Sequence, residues 1–119
     1  MIKLLEKGRL LRIFIGGADT YKGKPLYEQI VLKARELNLA GATVVRGIMG
    51  FGAASRLHIA KFLRLSDDLP IIIELVDTKE NINKLLPFLD EVVKEGLITI
   101  EKIKITRYKH RNSDTMQRR

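Results

Sequence analysis

The sequence predicts an α+β sandwich in which a four-stranded antiparallel sheet carries two helices on one face. Two segments of helical periodicity each lie between stretches of β-branched and aliphatic residues, so the order along the chain is β-α-β, an excursion, then β-α-β. Crossover connections of this kind are right-handed. Two such units side by side give the ferredoxin-like β-α-β-β-α-β arrangement.

Residues 9–16 are aliphatic and β-branched, bounded by Gly8 and the Gly16-Gly17 pair, and read as the first strand. Residues 17–24 follow as a polar loop. Pro25 suits the first turn of a helix, where a missing N–H costs nothing, and Leu26, Ile30, Ala34 and Leu37 recur at helical spacing. That helix is expected to end near Asn38, a residue type that tolerates the left-handed backbone found just past helix ends. Residues 40–46 form a second strand, with Thr43 and Val45 on one face and Ala42, Val44 and Arg46 on the other.

Residues 56–65 fit strand and helix alike and are treated as a mobile excursion: Leu57, Ile59, Leu63 and Leu65 alternate, while Ile59, Phe62 and Leu63 share a helical face. Residues 70–77 are the clearest strand, with Pro70 confined to its first position as sheet ladders require. Asp77 and Glu80 make an N-terminal capping pattern for the second helix. Its apolar side is Ile82, Leu85, Leu86, Leu89, Val92 and Val93. Pro87 inside it predicts a kink or break over residues 83–86. Gly96 closes the helix, and residues 97–105 alternate as the last strand, with Ile98 and Ile100 inward. A bulge is expected to bring Ile103 and Ile105 to the same side. Residues 1–108 are thus one domain and residues 109–119 a flexible basic tail. Ile, Leu and Val occupy both faces of the first and third strands, which leaves the uncovered sheet face partly apolar and predicts a homo-oligomer.

With 45% hydrophobic and 30% charged residues in 119, the chain can bury a core of its own, which excludes a wholly disordered protein. The longest aliphatic run ends at Glu74, and the first residues carry no apolar segment of signal-peptide length, so a soluble, cytoplasmic protein is expected. No cysteine and two histidines, His58 and His110, exclude disulfides, thiol chemistry and cysteine zinc sites. The net charge of +8 is uneven: residues 102–119 contribute +6 and the preceding 101 residues +2. A nearly neutral body argues against nucleic acid as the main partner.

Three segments merit a chemical reading. Arg12-Ile13-Phe14-Ile15-Gly16-Gly17 resembles the hexamer motif of RNA-recognition domains, and an RNA-binding module using the Phe14 face and the basic tail is the alternative function. Its companion octamer is missing: residues 49–56 have Met49 for the basic residue and Ala53 and Arg56 for stacking aromatics, and residues 70–77 contain no aromatic, so Phe14 is assigned to the core. Gly47, Gly50 and Gly52, with Phe51 between the last two, let backbone N–H groups approach an anion to which Arg46, Arg56, His58 and Lys61 add charge, although the spacing is neither the dinucleotide nor the P-loop fingerprint. Residues 16–24 join a strand end to a helix start, where anion binding is physically easy, and place Lys22, Lys24 and Tyr21 there. An acylphosphatase-like reading would need an arginine in that loop and an asparagine on a later strand, and neither is present. Asp67-Asp68 reads as a turn. No serine, histidine and acid stand at a catalytic spacing, so no enzyme, no metal and no resident cofactor are expected.

Residues 13–16, 21–27, 39–44, 46–52, 65–70 and 95–99 together closely resemble the prokaryotic domain-of-unknown-function 190 family. The resemblance spans about residues 10–108. That family is similar in fold to nitrogen-regulatory P-II signalling proteins, which are trimers that bind adenine nucleotides in clefts between subunits and move a long loop against transporters or enzymes. The resemblance implies a homotrimer with an adenine nucleotide as effector and a membrane transporter or enzyme as target. It also implies that the loop from Gly47 to about Arg64 is the effector loop and that Arg107 and Lys109 are phosphate contacts. The glycine-rich phosphate loop of P-II proteins is reduced here to Lys94-Glu95-Gly96-Leu97.

Overall fold

The computed structural model describes residues 7–51, 58–59 and 69–109. The strands are β1 (Gly8–Gly16), β2 (Thr20–Tyr21), β3 (Lys24–Pro25), β4 (Thr43–Arg46), β5 (Met49–Gly50), β6 (His58–Ile59), β7 (Pro70–Thr78) and β8 (Leu97–Ile103). The helices are α1 (Leu26–Glu36) and α2 (Lys79–Val92). The main sheet has the order β4-β7-β1-β8 with every neighbouring pair antiparallel, which is the ferredoxin-like topology. β1 and β4 run the same way. Their C-terminal ends, together with the start of β7, define the loop end of the sheet, and the opposite end is its base.

Period-two alternation in β1 and β7 sends Leu11, Ile13 and Ile15, with Ile71, Ile73 and Leu75, to the helix face, where all are buried. Leu26, Ile30 and Ala34 of α1 and Ile82, Leu85, Leu89 and Val92 of α2 close over them at helical spacing. Each buried Leu or Ile contributes about 1.5–3 kcal/mol. Leu37, Leu86, Val93 and Ile98 pack at the margin of this core.

Several details depart from the sequence reading. The loop of residues 17–24 contains a small hairpin, β2–β3, and Pro25 is the N-cap of α1 rather than its first helical residue. Asn38 does adopt φ 64°. The cap of α2 is Thr78, whose hydroxyl accepts from the Asn81 N–H at 3.1 Å. Asp77, one residue earlier, is buried and accepts instead from the backbone N–H groups of Ala40 at 2.6 Å and Thr78 at 2.7 Å and from Asn81 Nδ2 at 2.9 Å. α2 runs unbroken through Pro87. Pro87 cannot donate to the Asn83 carbonyl, but Asn83 lies on the exposed side, where water can serve that oxygen. The helix ends at Val92, so Gly96 is not its cap. Gly96 is required by a crossing, because a Cβ there would lie 2.5 Å from the Phe14 carbonyl oxygen.

The register between β1 and β8 is continuous from Gly8↔Ile103 to Phe14↔Leu97, with no bulge. Strict alternation therefore puts Ile98 and Ile100 on the helix face but Ile103 on the other, where Ile103 and Ile105 close on Gly8. That open face also carries Leu10, Arg12 and Phe14 of β1, Ile72, Glu74 and Val76 of β7, Val45 of β4, and Leu97 of β8. Phe14 thus lies on the open face, paired with Ile72 and Leu97, and not in the core. At the centre of the face Arg12 Nε donates to Glu74 at 2.8 Å and Nη1 to Glu101 at 3.0 Å. The hydrogen bond to Glu74 raises the Arg12 pKa, Glu101 adds to the effect, and partial desolvation opposes it.

Candidate ligand cleft at the loop end

The turn out of β1 is built by Asp19, whose carboxylate accepts from the Gly16 N–H at 3.0 Å and whose carbonyl accepts from the Leu26 N–H at 2.8 Å. The β2–β3 hairpin then reverses through Lys22 (φ 53°) and Gly23 (φ 77°), the pair of left-handed residues that a two-residue turn of this kind demands. Tyr21 anchors the hairpin to α2: its ring meets Phe88 edge-on at 5.8 Å and its hydroxyl donates to Glu91 at 3.0 Å. Lys22 Nζ sits 5.2 Å from the centre of the Tyr21 ring.

Alternation along β4 puts Arg46 on the helix face, opposite Ile71, where its guanidinium lies 5.9 Å from the centre of the Tyr27 ring in the first turn of α1. Gly17, Asp19, Thr20, Gly23, Tyr27 and Arg46 line a cleft of about 320 Å³. Pro25 supplies no side-chain cap to α1, and the Asp19 carbonyl already takes the Leu26 N–H, so an anion at this helix start would be met by the N–H groups of the residues after Leu26. The next residue, Gly47, donates its N–H to the Pro70 carbonyl at 2.7 Å, and Gly50 approaches the Pro70 ring so closely that a Cβ would lie 2.8 Å from Cγ. Beyond them Ile48, Met49 and Phe51 project into solvent, 78%, 57% and 73% exposed. A larger groove of about 450 Å³ lies between α2 and β8, but its walls are mostly apolar and it offers no cation.

Of the sequence candidates, Arg46, Gly47, Gly50, Phe51, Lys22 and Lys24 are thus brought to one end of the sheet. Gly52 and Arg56 lie outside the described residues, as do Lys61, the 60–68 part of the excursion, Asp67-Asp68 and the tail from residue 110. His58 and Ile59 pair with Gly50 and Met49, so at this point the excursion is strand. Arg107 and Lys109 lie at the base, because Tyr108 between them donates its hydroxyl to the Ala40 carbonyl at 3.1 Å. They lie at the end of the sheet opposite Arg46. Tyr27 and Asp19 were not singled out from the sequence. The signals were an aromatic one residue into α1 and an aspartate three residues past a strand end, both legible only once Arg46 is known to face α1. Among the described residues no group of His, Cys, Asp and Glu is arranged to hold a metal, and no helix is long and apolar enough to cross a membrane.

The DUF190 family, described as uncharacterized ACR, matches residues 8–105. This chain belongs to it. A UPF0166 protein of Aquifex aeolicus is 37% identical over 101 residues, covering 83% of this chain and 93% of that protein. Among solved structures, CPII from Thiomonas intermedia K12, bound to ADP and bicarbonate, superposes with a TM-score of 0.61 at 20% identity over 85% of this chain and 90% of CPII. The B. subtilis GlnK–ATP complex gives a TM-score of 0.53 at 16% identity over 82% and 83% of the two chains. At these identities the likeness is one of fold, and the DUF190 chain has the PII-like form of the ferredoxin-like sandwich.

Proposed function

We propose that this DUF190 protein is a PII-like regulatory protein, not an enzyme, that binds a small anionic ligand at the loop end and signals through the segment that follows β4. The observation that carries the reading is the position of Arg46: it faces the cleft beside Tyr27 and is bonded in sequence to Gly47, where the excursion begins. A ligand held by Arg46 therefore acts one residue from the hinge of the loop, and its binding energy can select one loop arrangement over others. An adenine nucleotide suits the cleft chemistry, with phosphates against Arg46, the start of α1, Lys22 and Lys24, and the base against the Tyr27 ring. The solved relatives in fold are described with ADP, AMP, ATP and bicarbonate, which supports that ligand class.

The protein acts as a homotrimer in this reading, its open sheet faces turned towards one another so that Leu10, Phe14, Ile72 and Leu97 are covered. Arg107 and Lys109 can then join a cleft only from a neighbouring copy. The target is a transporter or enzyme in the cytoplasm, met by the exposed Ile48, Met49 and Phe51. The test is calorimetric titration of ATP, ADP, AMP and cyclic nucleotides into the protein and into Arg46→Ala. Binding of one nucleotide that falls at least tenfold in the variant supports the cleft. Nucleotide binding that is indifferent to Arg46, or no binding in the millimolar range, refutes it.

A further inference from the structure

The β2–β3 hairpin forms one wall of the loop-end cleft, through Thr20, Gly23 and Pro25. It cannot hold that place by itself. Each strand has two residues, Pro25 has no N–H to give to the ladder, and Lys22 stands at φ 53°, a backbone region that glycine, asparagine and aspartate fill far more readily. Asp19 fixes the root of the hairpin by its bonds with Gly16 and Leu26, but it lies before β2 and does not reach the tip.

The tip is held from outside. Alternation along β2 puts Thr20 in the cleft and turns Tyr21 away from it to α2, where its ring meets Phe88 edge-on and its hydroxyl donates to Glu91. Phe88 and Glu91 are three residues apart on one helix face, beside the buried stripe of Leu85, Leu89 and Val92 rather than in it. The Phe88 ring is met in turn from α1, whose Lys33 Nζ lies 5.7 Å from its centre. The Lys22 ammonium rests on the Tyr21 ring, so whatever fixes that ring fixes the wall and the ammonium together. Neither Phe88 nor Glu91 lines the cleft. We propose that they are positioning residues for it: by clamping Tyr21 they set the hairpin wall and the Lys22 ammonium against the anionic ligand, a role that rests on the ligand cleft proposed above.

The sign of the effect separates this role from simple charge. Removing a carboxylate near an anion site favours the anion, whereas loosening the clamp weakens its binding. ATP, ADP and AMP are each titrated calorimetrically into the full chain. Glu91→Ala and Tyr21→Phe should each weaken the nucleotide that binds best by about fivefold, and the double variant by no more than either alone, because both remove the same hydrogen bond. Glu91→Gln removes the charge but keeps an acceptor oxygen, and should regain the affinity lost in Glu91→Ala. Hydrogen exchange over residues 20–24 should quicken in Glu91→Ala and Tyr21→Phe with no nucleotide present. Phe88→Leu, which removes the ring edge, should give the same loss and stands in if Glu91→Ala fails to fold. The role is overturned by equal or tighter binding in Glu91→Ala, by a Glu91→Gln variant as weak as Glu91→Ala, by additive losses, or by unaltered exchange. A parent protein that binds none of the three nucleotides overturns the cleft and this role with it.

Discussion

Replacing Asp77 by alanine removes the one buried charged side chain among the described residues and with it the tie between three elements. Its carboxylate accepts from the Ala40 N–H before β4, from the Thr78 N–H that opens α2, and from Asn81 Nδ2 within α2. At 2% exposure water reaches the carboxylate poorly, so the two backbone donors are left without a partner in the variant. Each unsatisfied donor costs about 1–3 kcal/mol, and because Ala40 and Thr78 are themselves half-buried the lower half of the range applies, giving about 2–4 kcal/mol in all. For a chain of this length that is a fall in Tm of roughly 10–15 °C. Asp77→Asn keeps one acceptor oxygen and should lose about half as much. Urea denaturation monitored by circular dichroism measures both. A loss below about 1 kcal/mol for the alanine variant would show that the α1–β4 connection does not depend on this carboxylate, and the account of the base of the fold would fail with it.

Gly96→Ala should cost about 1–3 kcal/mol in the same assay, because its Cβ would overlap the Phe14 carbonyl oxygen in the backbone of β1; an unchanged midpoint would mean the α2–β8 connection moves freely. Gly50→Ala forces the base of the loop off the Pro70 ring, so it should leave Tm within 2 °C of the parent, roughly 0.5 kcal/mol, while reducing the nucleotide response; an unaltered titration would detach the loop from the cleft. On the open face, Phe14→Glu puts a carboxylate between Ile72 and Leu97 beside Glu74, and sedimentation should show the proposed trimer falling to monomers. An intact assembly would mean that copies do not meet through this face.

The strand and helix order, the core positions of β1, β7, α1 and α2, and the family were all legible in the chain, because each rests on local periodicity or on motifs contiguous in sequence. Errors arose where the outcome hung on a partner far away in sequence. Asp77 looked like a cap because its target at Ala40 cannot be seen from residues 77–80, and the cap passed to Thr78. A bulge in β8 was inferred from a change of parity among isoleucines, whereas the register with β1 is continuous and Ile103 and Ile105 instead fill the space beside Gly8. The missing RNA-recognition octamer assigns Phe14 to the core, yet alternation turns it to the face the helices leave open.

By itself the sequence determined a βαβ–βαβ sandwich of the DUF190 family with a partly apolar second sheet face, since burial of periodic hydrophobic residues leaves few other arrangements. Only the tertiary structure decided that Arg46 meets Tyr27, that Lys22 and Lys24 belong to the same end as Gly47, and that Arg107 and Lys109 belong to the other. The physical reason is that charged side chains gain little from local backbone preference, so their grouping is set by strand register and by the crossing of the chain over the base of the sheet.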